Sequence, residues 1–273
     1  MRTWNRRQRA LGLLLFTAVI LLAVTVSGAL LTDRATATDF SRTNLAPGPD
    51  GLFGTDWLGR DMLSRTLAGL SLSIRIGALT ACVSAVIALA LGVAAALSRR
   101  ADAVLSWLID LFLGIPHILL VMLISLACGR GFLGVVAGVS LSHWPSLARL
   151  VREEVLQLRQ APYLLAAEKL GVPRGQLVRR HLLPHLLPQF LTGLILLFPH
   201  AILHEAAVTF LGFGLSPEEP AIGIILSESM TYLSAGMWWL AVFPGLVLIA
   251  CVLLFDVAGS NLRRLIDPHS AQE

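Results

Sequence analysis

The sequence predicts an all-α polytopic membrane protein, and three observations predict it. Of 273 residues, 56% are hydrophobic and only 14% charged, whereas soluble domains carry about 25% charged residues. Six apolar runs each reach the length of about 20 residues that a bilayer-spanning helix needs. The basic side chains stand between those runs and form no single patch, so the net charge of +4 does not point to nucleic acid.

The runs fall at roughly 10–32, 72–98, 103–128, 131–148, 186–214 and 237–258. The first follows Arg2, Arg6, Arg7 and Arg9 and precedes an Ala-Thr-Ala stretch resembling a cleavage site. It is far longer than the core of a signal peptide, about 7–15 residues, and is read as a retained anchor. The third and fourth runs are separated only by "CGRG", a tight turn suited to a helical hairpin. Cys82, Cys128 and Cys251 lie within apolar runs, without a Cys-x-x-Cys pair, and read as small buried hydrophobes.

Orientation follows from the basic residues. With both termini cytoplasmic, fifteen Arg and Lys side chains lie inside and six lie outside: Arg34, Arg42, Arg60, Arg65, Arg75 and Arg130. Trp238 and Trp239 then open the sixth span where an interfacial aromatic belt sits. The expected organisation is a cytoplasmic N-terminus and first span (1–32), an extracytoplasmic segment (33–71), a membrane core (72–264) and a cytoplasmic tail (265–273).

The inner segment, about 149–185, is too long for a turn and too apolar for a disordered linker. Its spacing predicts a short helix from Pro162 to Leu170, with Tyr163, Ala166, Ala167 and Leu170 on one face. Gly171 stops that helix and Pro173 suits the first turn of the next. Such an elbow docks on a partner or lies amphipathically on the inner leaflet.

"FPHAILHEAAVTFLGFGL", residues 198–215, places His200, His204 and Glu205 inside an apolar run. Ionisable groups within a span face the bundle interior or a wet pathway and are functional by default. His200 and His204 are four residues apart and share a helix face. Two imidazoles suit nickel, zinc or copper, and water or a chelator in the remaining positions would keep the contact weak enough to release a cargo. On this reading His200, His204 and Glu205 line the translocation path, with His200 and His204 as metal ligands. The structural reading is hydrogen bonding between helices, contributing about 1 kcal/mol per group. Both readings stand on sequence. His117 and His143 are further candidates whose role the sequence leaves open. The order His-x-x-x-His-Glu differs from the His-Glu-x-x-His of zinc hydrolases, which leaves an intramembrane metalloprotease, like a standalone channel or carrier, a remote alternative.

"AAEKLGVPRGQLVRRHLLP", residues 166–184, resembles the EAA loop of ABC-transporter permeases through Ala166, Ala167, Gly171, Leu183 and Pro184. Leu165 stands where that family often has Glu, and His181 where it has Ile. "GTDWLGRDMLSR", "SLSIRIG", "EAAVTFLGFGL" and "FPGLVLIACVLLFDVAGSNLRRLIDPH" occur in the order found in C-type permeases of dipeptide, oligopeptide and nickel importers. Residues 216–236 echo a Pro-rich segment of the same family, expected to form a re-entrant or scoop-like element. There Glu218, Glu219 and Glu228 read as a solvated loop or as cation attractors.

The resemblance implies a six-helix inner-membrane subunit of a bacterial importer, with the elbow between helices four and five acting as a cytoplasmic coupling helix. The coupling contacts would come from Tyr163, Ala166, Ala167 and Gly171. Partners implied are a second permease, two ATP-binding subunits and an extracytoplasmic solute-binding protein. Glu205 matches the acidic position of the family's "EAxLSFLGLG" stretch, which favours an architectural or gating role. The His-x-x-x-His pair and "LSHW" are closest to the nickel branch, so nickel or another chelated transition metal is the expected cargo, with di- or oligopeptides as the alternative. No Gly-Lys-Ser/Thr phosphate loop is present, and Lys169 is the only lysine. The chain is therefore expected to be no enzyme and to bind no cofactor, with ATP and Mg held by the partner ATPases.

Overall fold

A computed structural model describes residues 6–49 and 51–266. Arg2 and most of the expected tail 265–273 lie outside the described residues. Among those described, helices dominate, joined by turns and two isolated bridges near Gly48–Gly51 and Thr55–Asp61.

The main helices are α1 (Arg6–Leu30), α2 (Met62–Leu97), α3 (Arg99–Gly114), α4 (His117–Ala127), α5 (Gly131–Leu158), α6 (Pro162–Lys169), α7 (Leu183–Phe210), α8 (Ile222–Leu233) and α9 (Trp239–Ile266). At about 1.5 Å per residue, the 36 residues of α2 outreach the hydrocarbon core. It begins ten residues before the expected second span, so "MLSRTLAG" belongs to a helix and not to the outer segment. The Asp61 carboxylate fixes that start, accepting from the Ser64 backbone N–H at 2.9 Å and leaving fewer orphan donors at the first turn.

α2 is the central element, packed against α1, α5 and α7. Small residues allow the approach. The Ser71 hydroxyl donates to the Thr25 carbonyl of α1 at 2.7 Å, and Ser84 donates to the Ser140 carbonyl of α5 at 2.8 Å. Without water in the bilayer core, close backbone approach and such interhelical bonds do the work that hydrophobic burial does in soluble bundles.

Among the described residues, four helices are long and apolar enough to cross a membrane, spanning Arg7–Leu30, Met62–Leu97, Gly175–Phe210 and Trp239–Ile266. The expected continuous third span is instead broken: α3 and α4 meet at 100°. Pro116 is the physical reason. A proline pushes the residue before it out of the α region, and Ile115 is extended at φ −89°, ψ 135°. As one unit the pair makes a fifth span. α5 stands where the fourth was expected but runs on to Leu158, carrying Arg149, Arg152, Glu153 and Glu154 in its second half. α8 is the short element expected after span five; its Ile222, Gly223, Ile224 and Ile225 are buried. Cys82 and Cys128 are exposed on the bundle exterior, contrary to their reading as buried hydrophobes; Cys251 is buried.

Candidate functional site

Three constellations lie at different levels of the bundle. At the end where α2 begins, "GTDWLGRDMLSR" folds into a buried ionic network. Asp56 Oδ1 accepts from the backbone N–H groups of Leu58 and Arg60, both at 2.9 Å. Its Oδ2 accepts from Arg60 Nε at 2.6 Å and Arg65 Nη1 at 2.7 Å. Arg65 Nη2 in turn donates to Glu228 Oε2 of α8 at 2.9 Å. Trp57 stacks on Tyr232 with centroids 4.9 Å apart, and the Arg60 guanidinium lies over the Trp57 ring at 5.0 Å. Glu228 is thus a partner of the buried Arg65 and not a member of a solvated loop. The sequence showed the motif but no sign that its counter-charge stood 163 residues away.

At the opposite end, α6 forms the elbow. Leu164 is buried, and Ala167, Val172 and Leu177 pack on the same core as Leu158 and Leu182. Tyr163, Leu165 and Leu170 are 49%, 46% and 84% exposed, and Ala166 is exposed beside them. Ala167, one turn after Tyr163, is half-buried at the edge of that exposed face, where it meets the core. Gly171 has φ +81° with open space around it, and the Val172 N–H donates to the Ala167 carbonyl at 3.1 Å. That six-to-one bond over a left-handed residue closes the helix C-terminus, so glycine is required there for its backbone conformation. Arg152 pairs with Asp102, and Arg159 Nη1 donates to the Ala96 carbonyl, tying α3, α2 and α5 together beside the elbow.

Between these ends, three histidines meet. His117 is the first residue of α4, immediately after the break; His143 lies in α5 and His204 in α7. Their ring centroids are 4.5 Å (His117–His143), 4.4 Å (His117–His204) and 5.0 Å (His143–His204) apart, all edge to face. One ligand nitrogen from each falls within 4.8 Å of the others. His143 Nδ1 is 2.8 Å from the Val139 carbonyl and His204 Nδ1 is 2.7 Å from the His200 carbonyl.

The structure places His200, the expected partner of His204, outside this group of three. The His200 side chain is exposed and its backbone oxygen lies 2.7 Å from His204 Nδ1. Helical spacing put the two imidazoles on one side of α7, but a side chain leans over the preceding turn, where the carbonyl captures Nδ1. The partners of His204 come from other helices, a relationship that spacing along one helix cannot contain. The only sequence traces were "PH" within the expected third span and "LSHW" in the expected fourth.

Glu205 is fully buried and points elsewhere. Its Oε1 accepts from Thr209 Oγ1 at 3.1 Å, and Thr209 Oγ1 accepts from the Leu215 N–H at 3.3 Å. Glu205 thereby braces the turn that leaves α7, an arrangement consistent with an architectural role.

Comparison with known proteins gives concordant results. The family described as "Binding-protein-dependent transport system inner membrane component" matches residues 87–271. A protein of Brucella suis biovar 1 (strain 1330), named as a peptide transport system permease protein, is 35% identical over 267 residues, covering 98% of this chain and 90% of that one. The dipeptide transport system permease protein DppC of Bacillus subtilis (strain 168) is 29% identical over 256 residues, covering 93% and 80%. In three dimensions the fold is similar to a chain of the MetNI methionine ABC transporter in inward-facing conformations, with a TM-score of 0.59 at 20% identity over 76% of this chain and 98% of that one. The chain, a multi-pass inner-membrane protein, belongs to the family of inner-membrane permease components of binding-protein-dependent ABC transport systems.

Proposed function

We propose that this permease carries di- or oligopeptides through the membrane in an ATP-driven importer. The observation that carries the reading is similarity over nearly the whole chain to proteins named as peptide and dipeptide permeases, with "GTDWLGRDMLSR" and the elbow both embedded in that similarity. ATP-binding subunits and a substrate-binding protein are the partners that the family implies. A second permease and a pair of ATPases complete the proposed assembly, with the exposed face of Tyr163, Leu165, Ala166 and Leu170 seated on an ATPase. With cytoplasmic termini, that face points to the nucleotide side. A rigid elbow continuous with α5 on one side and α7 on the other can turn closure of an ATPase pair into tilting of helices and hence alternating access.

The relatives named above favour the peptide alternative over the expected nickel cargo. One observation keeps a chelated transition metal as a second reading, the meeting of His117, His143 and His204. The two readings separate in one experiment. The assembled transporter, reconstituted with its binding protein, is supplied with a labelled dipeptide or with labelled nickel. ATP-dependent uptake of the dipeptide alone supports the peptide reading; uptake of nickel alone overturns it.

A further inference from the structure

We propose that His117, His143 and His204 form a binding site for a divalent transition-metal ion of the zinc, nickel and cobalt class, tying α4, α5 and α7 together beside the break between α3 and α4. Binding here is judged apart from what the transporter carries.

The chemistry of the donor set comes first. A carbonyl oxygen only accepts, so the contacts of His143 Nδ1 with Val139 and of His204 Nδ1 with His200 assign the proton to Nδ1 in both rings. The lone pair of each neutral imidazole then sits on Nε2. This is the arrangement of metal-ligating histidines, whose second nitrogen is fixed by a backbone carbonyl that sets tautomer and ring orientation. Nε2 of His117 and Nε2 of His143 are both buried and without a hydrogen-bond partner. Buried polar atoms are nearly always satisfied, and these two nitrogens, in rings that each bring a ligand atom within 4.8 Å of the others, lack what a cation supplies.

The class of ion follows from the ligands. Three imidazoles with no carboxylate among them select zinc, nickel, copper or cobalt over magnesium and calcium, which take oxygen ligands. Three ligands leave a fourth tetrahedral position open, as in sites that exchange water. With metal–nitrogen bonds of about 2.0–2.1 Å, ligand nitrogens come within about 3.4 Å of one another. The present separations of up to 4.8 Å close by small side-chain rotations, most readily at His117 and His204, which are only half-buried. The backbone scaffold is already close-packed, since Val121 of α4, Val135 and Val139 of α5 and Ala201 of α7 share one core.

The test uses the full chain in lipid nanodiscs, purified without a polyhistidine tag and titrated with cobalt. One equivalent of cobalt per chain, with the visible absorption of a four-coordinate ion and displacement by zinc, is the expected result. His117→Ala, His143→Ala and His204→Ala should each weaken cobalt binding by about tenfold or more, since even outer-shell changes cost about that. His200→Ala should weaken it far less than these three, because the carbonyl that orients His204 is kept. Zinc should raise the thermal midpoint of the wild type and not of the three variants. If His143→Ala fails to assemble, the two half-buried positions carry the comparison. No stoichiometric cobalt in the wild type, or unaltered affinity in the His117 and His204 variants, overturns the site and leaves the rings as an edge-to-face cluster alone. Neither result bears on the peptide reading, which is judged by uptake.

Discussion

The Arg65 guanidinium joins Asp56 at 2.7 Å to Glu228 at 2.9 Å, linking the loop before α2 to α8. Asp56 is fully buried and accepts four hydrogen bonds. Removing one partner of a buried ionic group costs about 3–5 kcal/mol because the remaining charge is left uncompensated. Asp56→Ala should therefore lower the thermal midpoint sharply and reduce the amount of protein reaching the membrane. Glu228→Gln, at a partly exposed carboxylate that keeps its hydrogen-bonding shape, should cost clearly less. Equal losses in both variants, read from thermal unfolding in detergent, would contradict the ranking.

Leu170 and Gly171 separate coupling from folding. Leu170 is 84% exposed, so Leu170→Glu removes no internal packing and should leave thermal stability within about 0.5 kcal/mol of wild type. If the elbow docks on an ATPase, uptake should nevertheless be lost and the ATPase should no longer co-purify. Gly171→Asp should also abolish uptake, by straining a left-handed position at a cost of about 1–2 kcal/mol. ATP-driven uptake at the wild-type rate in both variants would remove the coupling role.

Pro116 makes a prediction about shape. Spin labels at the exposed positions Val104 and Leu123 flank the 100° break. Pro116→Ala restores a backbone donor and relieves the restriction on Ile115. The label-to-label distance should lengthen as α3 and α4 move toward one axis. An unchanged distance would mean that tertiary packing alone holds the bend.

The elements that follow local rules were legible from the sequence. Apolar length located α1, α7 and α9 to within several residues, and Gly171 with Pro173 located the elbow because glycine and proline act on the backbone where they stand. The break at Pro116 was not read, although its cause was in view, because the apolar run continues unbroken across it and hydropathy carries no angle. The start of α2 was missed for a related reason. Asp56, Arg60 and Arg65 look like residues of a polar loop until Glu228 and Trp57 cover them. The histidine cluster is the clearest case. Periodicity along α7 proposed His200 as the partner of His204, while the observed neighbours are brought by α4 and α5, and only the packing of those helices decides which imidazoles meet.

That packing gives the last prediction. A Cβ at Gly138 of α5 would lie 2.7 Å from the Val121 carbonyl of α4, closer than a methyl group and a backbone oxygen tolerate. Gly138→Ala must therefore push α4 away from α5, since the obstructing atom is main chain and cannot rotate aside. Overpacking of this kind costs about 1–3 kcal/mol, and here it also has a direction. His117 opens α4 and His143 lies five residues beyond Gly138 on α5, so widening the α4–α5 contact separates the two rings without touching either. Gly138→Ala should weaken cobalt binding about as strongly as loss of one ligand, while the alanine itself favours the helix by about 1 kcal/mol and keeps the protein in the membrane. Gly114→Ala, where an added Cβ meets nothing within 4 Å, is the matched control and should bind cobalt as the wild type does. If the Gly138 variant keeps full affinity, α4 and α5 are not held in the register that brings His117 to His143.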